Sequence, residues 1–242
     1  MLILLTNDDG VFSPAFSELV QVFASFGRVV VVAPDRDRSG TSHAILREPP
    51  PRLQEEGPGV FSCSGTPADC VIQALNKLGS NRPDLVIAGI NHGANLSEDI
   101  TYSGTVGAAL EATLNGIPAI AVSLAGREAP WHYDSAGRIT AMMAKLWEKR
   151  PLPVGTFLNI NVPNVPFFAL KPPLVTRQGR LPNTNRGLSL SPLWNPVSPR
   201  ELPEAPEDHQ AVALGHPSVT PLLADLTQRR ALDNLGEWPC FR

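Results

Sequence analysis

The sequence lacks the features that mark several protein classes. Its three cysteines, Cys63, Cys70 and Cys240, are too few and too widely spaced for a disulfide framework or a zinc site. No stretch approaches the roughly 18 apolar residues that indicate a membrane-spanning helix. Lys and Arg number 20 against 23 Asp and Glu, and no basic cluster offers a surface for a nucleic-acid polymer. Met1 runs directly into LILLTNDDG without a basic leader, so we expect a cytoplasmic protein that binds neither a membrane nor a nucleic-acid polymer.

What the chain does contain is an alternation of short apolar runs with segments of helical periodicity. The hydrophobic fraction of 43% is ample for a sizeable core. The predicted strands are 2–6, 28–33, 59–63, 84–90, 118–123, 156–162 and 218–223, and the predicted helices are 14–25, 67–78, 104–115 and 134–149. Ser13 and Thr66 are the predicted N-caps of the first two helices. Strands alternating with helices predict an α/β fold around a mostly parallel sheet.

The second half of the chain has a different composition. Twelve of the 25 prolines lie between Pro151 and Pro206, which is too dense for continued strand–helix units. We therefore divide the chain into a core, residues 1–179, and a C-terminal appendage of the same domain, residues 180–242. Residues 180–210 are predicted to form an extended arm or a loop excursion.

The arm contains apolar residues that have no obvious local core to join. These are Leu181, Leu188, Leu190, Leu193 and Trp194. An extended apolar segment is stable only when something covers it, and a second subunit can do so. We expect a homodimer or homotetramer; the alternative is an arm that folds back over its own sheet.

Polar residues follow three predicted strands, at the edge where an open parallel sheet binds ligands. Asp8 and Asp9 follow the first strand, Ser39 lies in the loop after the second, and Asn95 follows the strand at 84–90. Adjacent carboxylates repel unless a cation neutralises them, and hard cations take carboxylate, amide and hydroxyl oxygens. The pattern predicts a site for a hard divalent cation, such as Mg²⁺, Mn²⁺ or Ca²⁺, held by these four residues. The alternative is an Asx-turn with solvated carboxylates.

A second candidate site opens the helix at 104–115. Gly104 lets a ligand approach the backbone, Ser103 and Thr105 add hydroxyls, and the helix N-terminus attracts phosphate. The alternative is ordinary N-capping by Thr101 or Ser103. His43 and His92 are candidate acid–base groups, although a lone histidine is more often structural.

At this point the motifs resemble those of a known family, the SurE survival-protein family of 5'/3'-nucleotidases. The matching segments, in order, are LLTNDDGVFSPA, VVAPDRDRSGTSHAI, CSGTPADCV, DLVIAGINHGANLSEDITYSGTVGAALEA, GIPAIAVS, FLNINVP and SVTPL. All but the last lie within residues 1–163.

The resemblance implies a Rossmann-like three-layer fold, one divalent cation per subunit and hydrolysis of nucleoside monophosphates. It places the metal ligands at Asp8, Asp9, Ser39 and Asn95, the phosphate contacts at Asn91, Ser103, Gly104 and Thr105, and the catalytic residues at Asp8, Asp9 and Asn91. It also implies association through the C-terminal portion. Because both aspartates serve as ligands and their loop has no third carboxylate, we favour direct attack by water over an aspartyl-phosphate intermediate.

The departure from the family pattern lies between Ser189 and Leu222. The usual stretch with a Tyr-Tyr-Trp run is replaced by SLSPLWNPVSPRELPEAPEDHQAVALGHPSVTPL, and His216 stands where an aromatic residue is common. This change leaves open a second function, that of a catalytically weakened protein of the same fold that binds a nucleotide or phosphate.

Other functions of an α/β fold fit the sequence less well. A dinucleotide-dependent oxidoreductase needs a glycine-rich turn where Asp8 and Asp9 stand. A receiver module needs a phospho-accepting aspartate after its third strand, but the strand at 84–90 ends in Asn91. An aspartyl-nucleophile phosphatase needs Asp-x-Asp spacing.

Overall fold

The computed structural model describes residues 1–126, 128–180, 205–229, 231–232 and 238. Its strands are β1 (Leu2–Thr6), β2 (Arg28–Pro34), β3 (Leu53–Gly57), β4 (Val60–Cys63), β5 (Leu85–His92), β6 (Ala119–Ala125), β7 (Thr156–Pro163), β8 (Leu174–Val175) and β9 (Ser218–Leu223). Its helices are α1 (Ala15–Phe23), α2 (Pro67–Leu78), α3 (Gly104–Leu114), α4 (Tyr133–Lys149) and α5 (Asp208–Ala213), with short 3-10 turns at Ser97–Thr101 and Phe167–Ala169. Within these ranges, no helix combines the length and the apolar character needed to cross a membrane.

The strands form one mixed sheet in the order β3-β4-β2-β1-β5-β6-β7-β9-β8. The strands from β4 to β7 in that order are parallel to one another. Side chains of α1 and α4 join the core on one face of the sheet, and side chains of α2 and α3 join the core on the other. The predicted three-layer α/β fold is therefore confirmed.

The two predicted N-caps have different outcomes. Thr66 caps α2 in a full capping box, since its hydroxyl accepts from the Asp69 N–H and the Asp69 carboxylate accepts from the Thr66 N–H. Ser13 does not cap α1, because Pro14 occupies the N-cap with helical backbone angles and the helix begins one residue later. Ser13 instead accepts a hydrogen bond from Ala15 N–H at 3.4 Å.

Several elements at the margins of the sheet were not predicted. The strand β3 pairs antiparallel with β4, and its sequence LQEEG carries no apolar alternation. The predicted strand at 218–223 is confirmed as β9, although its antiparallel pairing with β7 was not predicted, and the unpredicted β8 adds two residues beyond it. The prediction of an extended segment over residues 180–210 is wrong at its C-terminal end, because residues 208–210 form the start of α5. The arm residues Leu181 to Trp194 lie outside the described residues.

The order of the strands brings the predicted site loops to one edge. The chain leaves β1 through α1 to β2 on one side, and β5 pairs with β1 on the other side. The carboxyl ends of these strands thus flank the point where the direction of winding reverses. Open α/β sheets bind their ligands at this point.

Candidate metal and phosphate site

The loop after β1 is held in a tight turn by Asn7, which the sequence analysis did not single out. The Asn7 side chain donates to the Gly10 carbonyl at 3.1 Å and accepts from the Gly10 N–H at 3.0 Å. Gly10 has a φ of +106°, and a Cβ there would lie 3.3 Å from the Arg36 carbonyl carbon. The turn therefore requires glycine, and it presents Asp8 and Asp9 at the strand end.

Asp8 is buried against the start of α3. Its Oδ1 accepts a hydrogen bond from the Thr105 hydroxyl at 2.6 Å, and its carbonyl accepts from the Arg38 N–H at 2.7 Å. A Cβ on Gly104 would lie 3.1 Å from the Asp8 Oδ2, so glycine allows this approach. Burial raises the pKa of Asp8, against the hydrogen bonds from Thr105 that lower it.

Asp9 has a carboxylate oxygen that lacks a partner among the described residues. Its Oδ2 is buried without a hydrogen bond from any of them, and its Oδ1 lies 3.6 Å from the Nδ1 of His92. Burial, followed by the charge of Asp8, raises the pKa of Asp9 to about 6. His92, one of the candidate acid–base groups, also hydrogen-bonds the Tyr133 hydroxyl through Nε2 and lies beside the Trp131 ring.

Asn95 is fixed by side chains from two neighbouring strands. Its N–H donates to the Asn161 Oδ1 at 2.8 Å, and its carbonyl accepts from Asn159 at 2.8 Å and from Asn161 at 3.0 Å. Its own Nδ2 donates to the Ser123 hydroxyl at 2.8 Å, which leaves Oδ1 as the oxygen available to a cation. Asn159, Asn161 and Ser123 were missed in the sequence analysis.

The loop that follows Asn95 is tied to the C-terminal part of the chain. Ser97 is fully buried with a φ of +53°, and its N–H and hydroxyl donate to the two Asp208 carboxylate oxygens at 2.9 and 3.1 Å. Gly179 N–H donates to the same carboxylate at 3.1 Å. Asp208 thereby anchors the loop from the first residue of α5.

Ser39 stands at the exposed side of the site. Its hydroxyl donates to the Asp37 Oδ1 at 2.6 Å, which leaves the oxygen lone pairs of Ser39 free to approach a cation. The preceding residue, Arg38, donates its N–H to the Asp8 carbonyl. The loop after β2 is thus joined to the loop after β1.

The predicted phosphate contacts have internal partners. The Asn91 amide donates to the Gly93 carbonyl at 2.9 Å, and the Ser103 hydroxyl accepts from the Val106 N–H at 3.1 Å as the N-cap of α3. The Thr105 hydroxyl donates to Asp8, as described above. The capping alternative therefore applies to Ser103, and the phosphate role of these residues stays a prediction.

His43, the other candidate acid–base group, pairs with α3. Its Nε2 lies 2.7 Å from the Glu111 Oε2, and the Asn115 amide donates to the Glu111 Oε1 at 2.8 Å. His43 therefore connects the loop after β2 to the side of α3. His216 lies elsewhere, with its Nδ1 2.8 Å from the Pro172 carbonyl.

The donors at this edge suit a hard cation. The described residues contain no group of three or more His, Cys, Asp and Glu side chains arranged as metal ligands, so neutral oxygens would have to complete any set. Two adjacent carboxylates, one with a buried oxygen lacking a partner, need positive charge to stay ionised together. The Asn95 Oδ1 and the Ser39 hydroxyl are oxygen donors of the type that Mg²⁺ and Mn²⁺ accept.

Comparison with known proteins gives one consistent result. A family profile described as Survival protein SurE matches residues 3–185. A protein named 5'-nucleotidase SurE from Citrifermentans bemidjiense is 45% identical over 247 aligned residues, which cover 98% of this chain and 99% of the relative. Its counterpart from Magnetococcus marinus is 43% identical over 100% of both chains. The crystal structure of the SurE protein from Aquifex aeolicus superposes with a TM-score of 0.85 at 36% identity, covering 98% of each chain.

Proposed function

The chain belongs to the SurE family of survival proteins, and on this premise we propose that it is a 5'-nucleotidase. The reaction is hydrolysis of a nucleoside 5'-monophosphate to a nucleoside and phosphate at the site of Asp8 and Asp9. Full-length relatives that carry the name 5'-nucleotidase SurE support this assignment. The observation that carries it is the buried Asp9 Oδ2, which has no partner in the part of the chain that the structure describes and adjoins Asp8, itself bonded to the start of α3.

The activity depends on one divalent cation, Mg²⁺ or Mn²⁺. Asp8, Asp9, Asn95 and Ser39 hold it through carboxylate, amide and hydroxyl oxygens. When bound, such a cation polarises a phosphoryl oxygen and neutralises developing charge. The chain's own contribution is orientation: Thr105 fixes the Asp8 carboxylate, while Asn159 and Asn161 fix the backbone of Asn95.

The start of α3 receives the phosphate group. Gly104 has no side chain to block the approach, and the helix N-terminus places positive partial charge at this point. Asn91 and Ser103 supply donors to the non-reacting oxygens, where negative charge grows during the reaction. Thr105 contributes to the phosphate site by holding Asp8, because its hydroxyl proton is donated to that carboxylate. Water attacks phosphorus directly, the bond from phosphorus to the nucleoside oxygen breaks, and a proton from the water ends on the leaving nucleoside. Asp8 and Asp9 act as ligands rather than as nucleophiles.

The remaining parts of the proposal concern scope and context. Hydrolysis extends to nucleoside 3'-monophosphates, the protein acts in the cytoplasm, and it works as a homodimer or homotetramer. Exposed apolar side chains at the β8–β9 end of the sheet support the assembly. They are Val175, Leu214, Leu223 and Leu226.

One screen of phosphate release tests the activity. The substrates are 5'-AMP, 3'-AMP and glycerol 2-phosphate, each with Mg²⁺, with Mn²⁺ and with EDTA. We expect hydrolysis of 5'-AMP with either cation, its loss in EDTA, and its return when the cation is restored. Hydrolysis that persists in EDTA refutes the metal dependence. A failure to hydrolyse any nucleotide while 5'-AMP still binds would favour the binding-protein alternative.

A further inference from the structure

A cavity of about 370 Å³ opens beside the Asp9 carboxylate. It lies between the loop after β1, the loop after β2 and His92. Small-molecule sites typically begin at roughly 300 Å³, so the cavity has the size for one nucleoside. Since Asp9 lines it, a ligand held there is in contact with the site of the proposed function.

Phe12 forms an exposed aromatic wall of this cavity. Its side chain is 77% exposed, although the preceding Val11 is buried in the core. The backbone on both sides is pinned: Val11 N–H donates to the Pro34 carbonyl at 2.8 Å, and Ser13 N–H donates to the Gly10 carbonyl at 3.0 Å. The backbone thus presents Phe12 to solvent, where its apolar ring lacks the burial that would stabilise it within the chain.

The charge around the cavity selects against a second anion. Asp35 and Asp37 line it beyond Asp9, whereas Arg36 is the guanidinium among its walls and lies 3.7 Å from Asp35. Carboxylates outnumber the cationic side chain, so another phosphate or a polyphosphate would be repelled. A neutral planar group with N–H donors is favoured instead, because the Phe12 ring offers a face for stacking and the carboxylates accept hydrogen bonds.

We infer that this cavity is the nucleoside subsite and that the Phe12 ring stacks on the base. The inference rests on the proposed function, because the phosphate must lie at Asp8 and α3 while the nucleoside extends past Asp9. It makes Phe12 a specificity-determining residue for phosphomonoesters that carry an aromatic base. Stacking on an aromatic side chain accepts every base, so the subsite selects nucleosides as a class rather than one base.

The test compares 5'-AMP with glycerol 2-phosphate, a phosphomonoester without a base. The measured quantity is the ratio of the two kcat/KM values for the wild type and for Phe12→Ala, Phe12→Tyr and Phe168→Ala. Phe168 is 89% exposed and is not among the residues that line the cavity, so it serves as the matched control. We expect Phe12→Ala to lower the ratio about tenfold through the KM for 5'-AMP, as the loss of one stacked base predicts. Phe12→Tyr and Phe168→Ala keep the wild-type ratio.

The inhibition constant of adenosine, which lacks phosphate, provides a reading independent of hydrolysis of nucleotides. We expect adenosine to compete with glycerol 2-phosphate and its inhibition constant to rise about tenfold in Phe12→Ala. An unchanged ratio and an unchanged inhibition constant in Phe12→Ala overturn the subsite, even if the wild type is an active nucleotidase. Conversely, adenosine binding that depends on Phe12 in a chain without nucleotidase activity supports the subsite and refutes the proposed function.

Discussion

The Thr105 hydroxyl donates a hydrogen bond to the Asp8 carboxylate at 2.6 Å, joining the first turn of α3 to the end of β1. This contact orients the carboxylate, and loss of a bond that orients a metal ligand typically weakens metal affinity about 10- to 100-fold. We expect Thr105→Val to raise the Mn²⁺ dissociation constant by at least about tenfold, measured by titration calorimetry. Thr113→Val is the control, because Thr113 lies on the same helix and donates only to Ala109. Equal affinity in both variants would contradict the orienting role.

Asp9→Asn should remove activity without unfolding the chain. The substitution deletes a ligand charge and also relieves the repulsion from Asp8 that raises the pKa of Asp9. We expect kcat/KM for 5'-AMP to fall at least about 100-fold, while the Tm of the metal-free protein stays equal or rises. Asp225→Asn is the control, because Asp225 follows Leu223, which pairs with Thr156 at the opposite edge of the sheet. Full metal-dependent activity in Asp9→Asn would show the assignment to be wrong.

Gly104→Ala tests the close approach of α3 to Asp8. The added Cβ would lie 3.0 Å from Pro67 and 3.1 Å from the Asp8 Oδ2, so the carboxylate must move by a few tenths of an ångström. We expect a loss of kcat/KM on the order of tenfold or more, because small displacements in a site are costly. Gly57→Ala, where a Cβ meets nothing within 4 Å, should be active. If Gly104→Ala has the same kcat/KM as the wild type, the close approach of α3 to Asp8 is not required for activity.

The pair of Glu111 and His43 gives stability a dependence on pH. The hydrogen bond from His43 lowers the pKa of Glu111 below its ordinary 4.5. A carboxyl whose pKa is lower in the folded state stabilises the fold at pH values above its pKa in the unfolded state. This contribution is lost as the pH falls through its pKa in the folded state. We expect Glu111→Gln to lower the Tm by about 3 °C at pH 7. The difference from the wild type should shrink once pH falls below 4.5 and through the lowered pKa of the folded state. Glu148→Gln, at an exposed position of α4, should show no such difference. A difference independent of pH would refute the argument.

Assembly can be tested by removing the end of the chain. The exposed apolar residues Val175, Leu223 and Leu226 lie at the β8–β9 end of the sheet or just beyond it. We expect light scattering at micromolar concentration to show a dimer or tetramer for the intact chain and a monomer after truncation beyond Leu222. Leu226→Glu should also shift the protein from the oligomer towards the monomer. A monomeric intact chain would exclude the assembly role.

The sequence was sufficient for the elements whose pattern is local. Buried strands such as β1 and β5 are continuous apolar runs, and α2 carries its own capping residue in Thr66. The loops with Asp8, Asp9 and Asn95 were predicted because parallel strands end at one edge.

The supporting residues could not be predicted because their partners are distant in sequence. Asn159 and Asn161 look like polar interruptions of a buried strand until the sheet places them against Asn95. The sequence of β3 is charged and shows no alternation of apolar and polar residues. The strand forms because β4 offers an edge to pair with. α5 is too short for a periodic signal, and tertiary contacts decide it.

The bond between Ser97 and Asp208 spans 111 positions, and β9 reaches the sheet only after α5. During synthesis, the ribosome must therefore release the 111 positions from Ser97 to Asp208 before the loop that carries Asn95 acquires this anchor. The nascent protein has both aspartates long before it can hold Asn95 in place. A nascent chain that ends before Asn159 and Asn161 therefore carries the acidic pair without the side chains that hold Asn95.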